Sequence, residues 1–148
     1  MKRILIATIA LLCSFISSQA QTRYEPGYII DNSGERQSVL IKNTGWQVSP
    51  DKISYVTTND PDIKVLGIND IKEFGLEDQT IFRKFITDVD QSSKKVGNLS
   101  VKRAPEYASD TLFLRLLVDS KVSLYSYSDG SGYKFFYQDG NDQPVELI

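Results

Sequence analysis

The chain has 148 residues, 17 basic and 19 acidic, for a net charge of −2, with 41% apolar residues, no histidine and one cysteine. Mild acidity gives no basic footprint for a nucleic-acid partner. The absent imidazole removes the commonest general base, the commonest zinc ligand and the Ser-His-Asp arrangement.

Met1-Lys2-Arg3, an apolar run from Ile4 to Ile16, and Ser17-Ser18-Gln19-Ala20 have the form of a secretory signal peptide cleaved after Ala20. The run is too short to span a membrane, which takes about 20 apolar residues. Removing residues 1–20 leaves 128 residues, with 15 basic and 19 acidic groups and a net charge of −4, enough for one domain. Cys13 leaves with that segment, and Leu12 before it is not the small residue an acylated cysteine follows. The mature chain, residues 21–148, therefore has no disulfide, no thiolate nucleophile and no cysteine metal ligand.

Strand-forming runs at residues 24–31 and 36–42 flank Asn32-Ser-Gly-Glu35, which predicts a hairpin. A broken stretch through Gly45, Trp46 and Pro50 leads to a strand over 52–58. Trp46 is the single tryptophan, read either as a stacking platform for a ligand or as an apolar plug over one end of the sheet. Asn59-Asp-Pro-Asp62 predicts a turn and 63–67 a short strand. Asp70 stands three residues before Glu73, and Gly75 follows, which predicts one helical turn over 69–75. Residues 80–90 have apolar groups at helical spacing but an aromatic, β-branched composition, and composition assigns a strand. Residues 91–109 read as a long loop carrying Lys94, Lys95, Lys102 and Arg103, either solvated or a contact for an anion.

From Thr111 onward, apolar and aromatic runs are separated by Asp119-Ser120, Ser128-Asp-Gly-Ser-Gly132 and Gln138-Asp-Gly-Asn-Asp142, the punctuation of an antiparallel meander. A two-residue turn at Asp119-Ser120 sets Leu114 opposite Tyr125; a three-residue loop groups Leu112, Leu114, Leu116 and Val118 with Val122 and Leu124 instead. Both registers stay open. Tyr125, Tyr127, Tyr133, Phe135, Phe136 and Tyr137 crowd one part of the meander, and strand alternation sends about half of them outward. Trp46, Tyr125, Tyr127, Tyr133 and Tyr137 are the candidate ligand-binding residues.

No Gly-x-Ser-x-Gly, phosphate-binding or dinucleotide-binding glycine motif occurs. Acid chemistry survives as an alternative, since Asp88 and Asp90 share one face of a strand, while Asp129, Asp139, Asn141 and Asp142 lack calcium-loop spacing. No catalytic residue, metal ligand or cofactor is assigned.

Gly27-Tyr-Ile-Ile-Asp-Asn-Ser-Gly34, Leu40-Ile-Lys42, Trp46 with Pro50 and Ile53, Asp70-Ile-Lys-Glu-Phe-Gly75, Leu112-Phe-Leu114 and Leu124-Tyr-Ser-Tyr-x-Asp-Gly130 together resemble a group of secreted β-rich proteins of Gram-negative bacteria. The resemblance spans most of the mature chain. It implies export, a strand over 80–90, and in some members a C-terminal outer-membrane barrel, which fits a chain ending on what reads as a strand in progress. It transfers no catalytic residue.

The expected fold is all-β or β-dominated α+β: a meander, sandwich or partly open barrel of about seven to nine antiparallel strands with one helical turn. The expected role is a non-catalytic module of the cell envelope, periplasmic or at the outer membrane or cell surface, without membrane insertion of residues 21–148. Its partner would be its own C-terminal region or another envelope protein. The alternatives are a carboxylate-based hydrolase and a glycan or peptide binder using exposed aromatics.

Overall fold

The computed structural model describes residues 23–77, 80–92 and 104–147. The signal-peptide reading of residues 1–20 lies outside them. The described residues are all-β, without a helix, and form one open antiparallel sheet of ten strands. In chain order these are β1 (Arg23–Asp31), β2 (Arg36–Asn43), β3 (Lys52–Thr57), β4 (Asp60–Gly67), β5 (Ile71–Leu76), β6 (Ile81–Asp90), β7 (Tyr107–Val118), β8 (Val122–Ser128), β9 (Tyr133–Asp139) and β10 (Val145–Leu147). Their order across the sheet is β10-β9-β8-β7-β6-β5-β1-β2-β3-β4.

The predicted hairpin forms, with Asp31 accepting the amides of Ser33 and Glu35 and Gly34 at a φ of 92°. Residues 80–90 hold a strand, as composition requires. The helical turn over 69–75 does not form. The Asp70 carboxylate accepts the Gly67 amide at 2.7 Å, and the Asp70 amide donates to the Gly67 carbonyl at 3.0 Å, closing a turn from which β5 emerges extended. Asp70 caps a strand connection rather than a helix. The turn predicted at 59–62 shrinks to Thr58 and Asn59, so Pro61 falls inside edge strand β4, a position where its missing amide costs little.

Alternation along the paired strands explains the shape. Ile29, Val39, Ile41, Ile53, Tyr55, Ile71, Phe74, Leu76, Phe82 and Phe113 lie on one face and form one buried cluster. Val89, Leu112, Leu114, Tyr125 and Phe136 form a second. Lys84 pairs with Phe113 and Phe85 with Leu112 across β6 and β7, so the two clusters occupy opposite faces of these shared strands. The sheet therefore curls one way through β1 to β5 and the other way through β7 to β10.

The first curl brings the end of β4 back to the start of β5, across the three-residue connection 68–70, although three strands separate them in the sheet. The second brings β10 back onto β6. At the β7–β8 connection, Leu116 pairs with Tyr125 and Val118 with Leu124, so an irregularity at Leu117 replaces both predicted registers. It keeps Tyr125 on the buried face with Leu114 and Leu116 while Val118 and Leu124 turn outward.

Candidate functional site

The open edge of β6 is where the two curls fail to meet. β5 pairs with β6 only at Ile81, Phe82 and Arg83, while β6 continues to Asp90. In an antiparallel strand, alternate residues send both backbone polar groups to the same side. The Thr80 carbonyl accepts the Leu76 amide from β5, whereas the Gln91 amide turns the other way, to the Glu106 carbonyl. Even-numbered residues of β6 thus face the β5 side, and among the described residues no strand pairs with Lys84, Ile86 or Asp88 there.

At the far end the ladder is replaced by side chains. The Asp90 amide donates to Glu146 Oε2 at 2.7 Å, the Asp90 carbonyl accepts Lys134 Nζ, and Lys134 pairs with Glu146 at 3.0 Å. The Thr87 hydroxyl donates to the Pro144 carbonyl at 2.6 Å, which anchors the chain leading into β10 across the edge of β6.

Two hollows flank this crossing. One, of about 530 Å³, is lined by Ile86, Asp88, Tyr107 and Ser109 on the outer face of β6 and β7 and by the 143–146 segment. The other, of about 520 Å³, is lined by Ile30, Lys72, Glu73, Lys84, Phe85 and Ile86, with Gln143 again at its border. Ile86 and Gln143 border both, so the two hollows are taken together as one groove, with Ile86 62% and Tyr107 52% exposed.

The wall at the β5 end is held by a polar network. Arg83 Nε donates to Glu73 at 2.6 Å, its other nitrogens donate to Asp119 at 3.2 Å and to the Tyr125 hydroxyl at 3.3 Å, and the Tyr28 hydroxyl donates to Glu73 at 2.6 Å. Burial, and then the Glu73 carboxylate, raise the Tyr28 phenol well above its ordinary pKa. Burial opposes the Arg83 charge, but Glu73, Tyr125 and Asp119 outweigh it and raise its pKa. Lys84 Nζ donates to Asn32 Oδ1 at 2.7 Å, and Asn32 in turn donates to the Asn69 carbonyl at 2.6 Å, so the lysine is steadied from two turns.

Asp88 and Asp90 stand in different surroundings. The hydroxyl and amide of Ser92 bind the Asp90 carboxylate and lower its pKa, and the Glu106 amide adds to this. These bonds tie Asp90 to the end of β6. Asp88 stands in the groove wall.

Trp46 sits in the β2–β3 connection, partly buried, with its ring edge-on to Phe74 and Phe82 at 5.5 Å each. It closes the mouth of the first curl. The loop carrying it is tied to β8 by the Ser49 amide on the Ser128 carbonyl at 2.8 Å and the Ser128 amide on Ser49 Oγ at 3.1 Å. A side chain at a φ of 22° is held there by this packing. Tyr125 is fully buried and donates to Gln138 Oε1 at 2.7 Å, and Tyr127 packs against the second cluster. Tyr133 and Tyr137 emerge on the outer face beside Phe135, Val145 and Leu147, 61% and 39% exposed. The aromatics thus divide by alternation and do not converge on one site. Lys94, Lys95, Lys102 and Arg103 lie outside the described residues. Among the described residues no group of three or more acidic, histidine or cysteine side chains could hold a metal ion.

The groove was not legible in the sequence. Ile86 and Tyr107 look like ordinary strand residues, and only the point where β5 stops makes the β6 edge available. No protein-family model, curated protein or solved structure matches the chain.

Proposed function

We propose that this protein is a non-catalytic binding module of the cell envelope that takes an extended peptide segment along the open edge of β6. The signal-peptide character of residues 1–20 and the resemblance to secreted envelope proteins support export. The observation that carries the peptide reading is that β6 runs on past its last pairing with β5, leaving the edge at Lys84 and Ile86 without a strand partner among the described residues before the Pro144 crossing, beside a groove with apolar and polar walls. An exposed strand edge offers main-chain hydrogen bonds to any extended chain, and flanking hollows select its alternate side chains. Between Arg83 and the Pro144 crossing at Thr87 there is room for about three residues at roughly 3.3 Å each. The hollow beside Tyr107 receives the peptide residues past that crossing.

A phage-displayed random 12-residue library selected on the mature protein tests this. Selected peptides, made synthetically, bind the wild type and lose affinity at least roughly ten-fold when alternate amides are N-methylated, because ladder donors are removed. Ile86→Pro on the protein side has the same effect while its melting temperature stays near wild type, since the Ile86 amide faces the open edge and the β7 ladder uses odd-numbered residues. Failure to select any peptide, or binding indifferent to methylation at every amide, overturns the reading. Glycan-array binding lost on Tyr107→Ala would replace it with a carbohydrate-binding one.

A further inference from the structure

The groove is electrically lopsided. At the end where β5 begins, Lys72 and Lys84 line the hollow. Glu73, the one acid lining that hollow, is bound by Arg83 and Tyr28, while Asp31 and Asp70 line a different hollow beside Glu35 and Arg36. At the opposite end Asp88 lines the groove, while the other carboxylate there, Glu146, is neutralised by Lys134. Among the described residues, the charges lining one end are therefore left net positive and those lining the other net negative.

Strand geometry converts this difference into a direction. A peptide that takes the line on which β5 stops pairs antiparallel to β6, as β5 does, and antiparallel ladders are slightly the more stable kind. Because β6 runs from Lys84 towards Asp88, such a peptide has its C-terminal end beside Lys84 and Lys72 and its N-terminal end beside Asp88.

We infer that the groove reads chain polarity: it takes an extended segment with a carboxylate, from an acidic side chain or a free C-terminus, at its C-terminal end and a basic group about four residues earlier. This rests on the peptide reading of the groove. Lys72 and Lys84 are the specificity-determining residues for the acidic end, and Asp88 for the basic end. Asn32 positions Lys84 through its 2.7 Å contact.

The test uses two synthetic peptides of identical composition built on one library-selected sequence, one with lysine towards its N-terminus and glutamate towards its C-terminus, the other with these exchanged. Titration against the full mature protein shows the first binding roughly five-fold or more tighter at low salt, with the gap closing at 0.5 M salt as screening removes exposed charge contacts. The double charge reversal Lys84→Glu and Asp88→Lys inverts the order of the two peptides, an outcome that loss of folding cannot mimic. Amidating the C-terminus of a peptide ending beside Lys84 weakens it. Equal binding of both peptides at low salt, or an order unchanged by the charge reversal, removes the polarity inference and leaves the peptide reading standing. Absence of binding by either peptide, including the parent selected sequence, removes both.

Discussion

Lys134 and Glu146 form an ion pair 3.0 Å apart inside the second curl, with side chains only 12% and 7% exposed, and together they stand in for a missing strand partner at Asp90. β10 has only three residues, Val145–Leu147, so three ladder positions on β9 cannot hold it alone. Breaking one half of a buried pair leaves an uncompensated charge and costs about 3 to 5 kcal/mol, whereas replacing both by apolar groups of similar size is often nearly neutral. Lys134→Met and Glu146→Leu each lower the urea midpoint sharply, and the double variant recovers much of the loss. The double variant still leaves the Asp90 amide and carbonyl without these partners, so amide exchange at Asp90 rises. Additive losses in the double-mutant cycle would show that the two side chains act separately.

Gly27 and Gly75 sit on neighbouring strands β1 and β5 and answer to different neighbours. A Cβ on Gly27 would lie 2.4 Å from the Gly75 carbonyl oxygen, a backbone atom that cannot step aside. A Cβ on Gly75 would lie 2.8 Å from the Tyr28 ring, which covers it across the strand pair. Gly27→Ala therefore costs stability at or above the usual overpacking range of about 1 to 3 kcal/mol. Gly75→Ala costs less in a Tyr28→Ala background than in wild type. Thermal denaturation of the four variants checks both statements.

Much of the architecture was readable because it depends on local rules. Turn residues at Ser33-Gly34 and Asp129-Gly130, and the alternation through Leu112 to Leu114 and Tyr125 to Phe136, fix strand positions without reference to anything distant. The features that escaped depend on partners elsewhere in the chain. The Asp70 to Glu73 spacing is equally that of a capped helix and of a strand turn, and Gly67 supplies the amide that decides it. Glu73 is drawn to Arg83 and Tyr28 instead of back to a helix start. The site was hidden for the same reason: Ile86 becomes a groove residue only because the β5 pairing reaches no further along β6 than Arg83 and the Pro144 segment crosses near Thr87.

Trp46 packs against the first cluster, and its loss is felt as stability. Its ring contacts with Phe74 and Phe82 extend an aromatic stack that continues to Phe113, with Phe74 and Phe82 stacked at 5.0 Å. Truncating a partly buried tryptophan to alanine costs about 2 to 4 kcal/mol, towards the lower side of the range for full burial. Trp46→Phe retains part of that. As the single tryptophan, Trp46 also reports on its surroundings. Its emission stays unchanged when a peptide fills the β6 groove, because it closes the other curl. A strong emission change on peptide binding would relocate the site to the β2–β3 loop.

The pH dependence of stability is set by which groups are shifted and in which direction. The carboxyls of Asp31, Asp60 and Asp90 have lowered pKa values, chiefly through hydrogen bonds from the side chains of Ser33, Lys64 and Ser92. A group with a depressed folded pKa contributes stability that is present above its unfolded value, about 3.9, and lost as pH falls through the folded one. Their effect is therefore confined to acid below about pH 5. Tyr28 and Tyr127 are raised, first by burial and then by Glu73 and Asp129 respectively. Their contribution is complete below the unfolded value of about 10 and declines above it, because the unfolded chain releases these protons first. With no histidine to titrate between them, urea midpoints stay flat from pH 5 to 8 and fall on both sides. Tyr28→Phe lowers stability at neutral pH by removing the bond to Glu73, yet makes the alkaline fall shallower. A steep slope between pH 5 and 8 would mean that a carboxyl group titrates far above its usual range, and would favour the carboxylate-based hydrolase alternative.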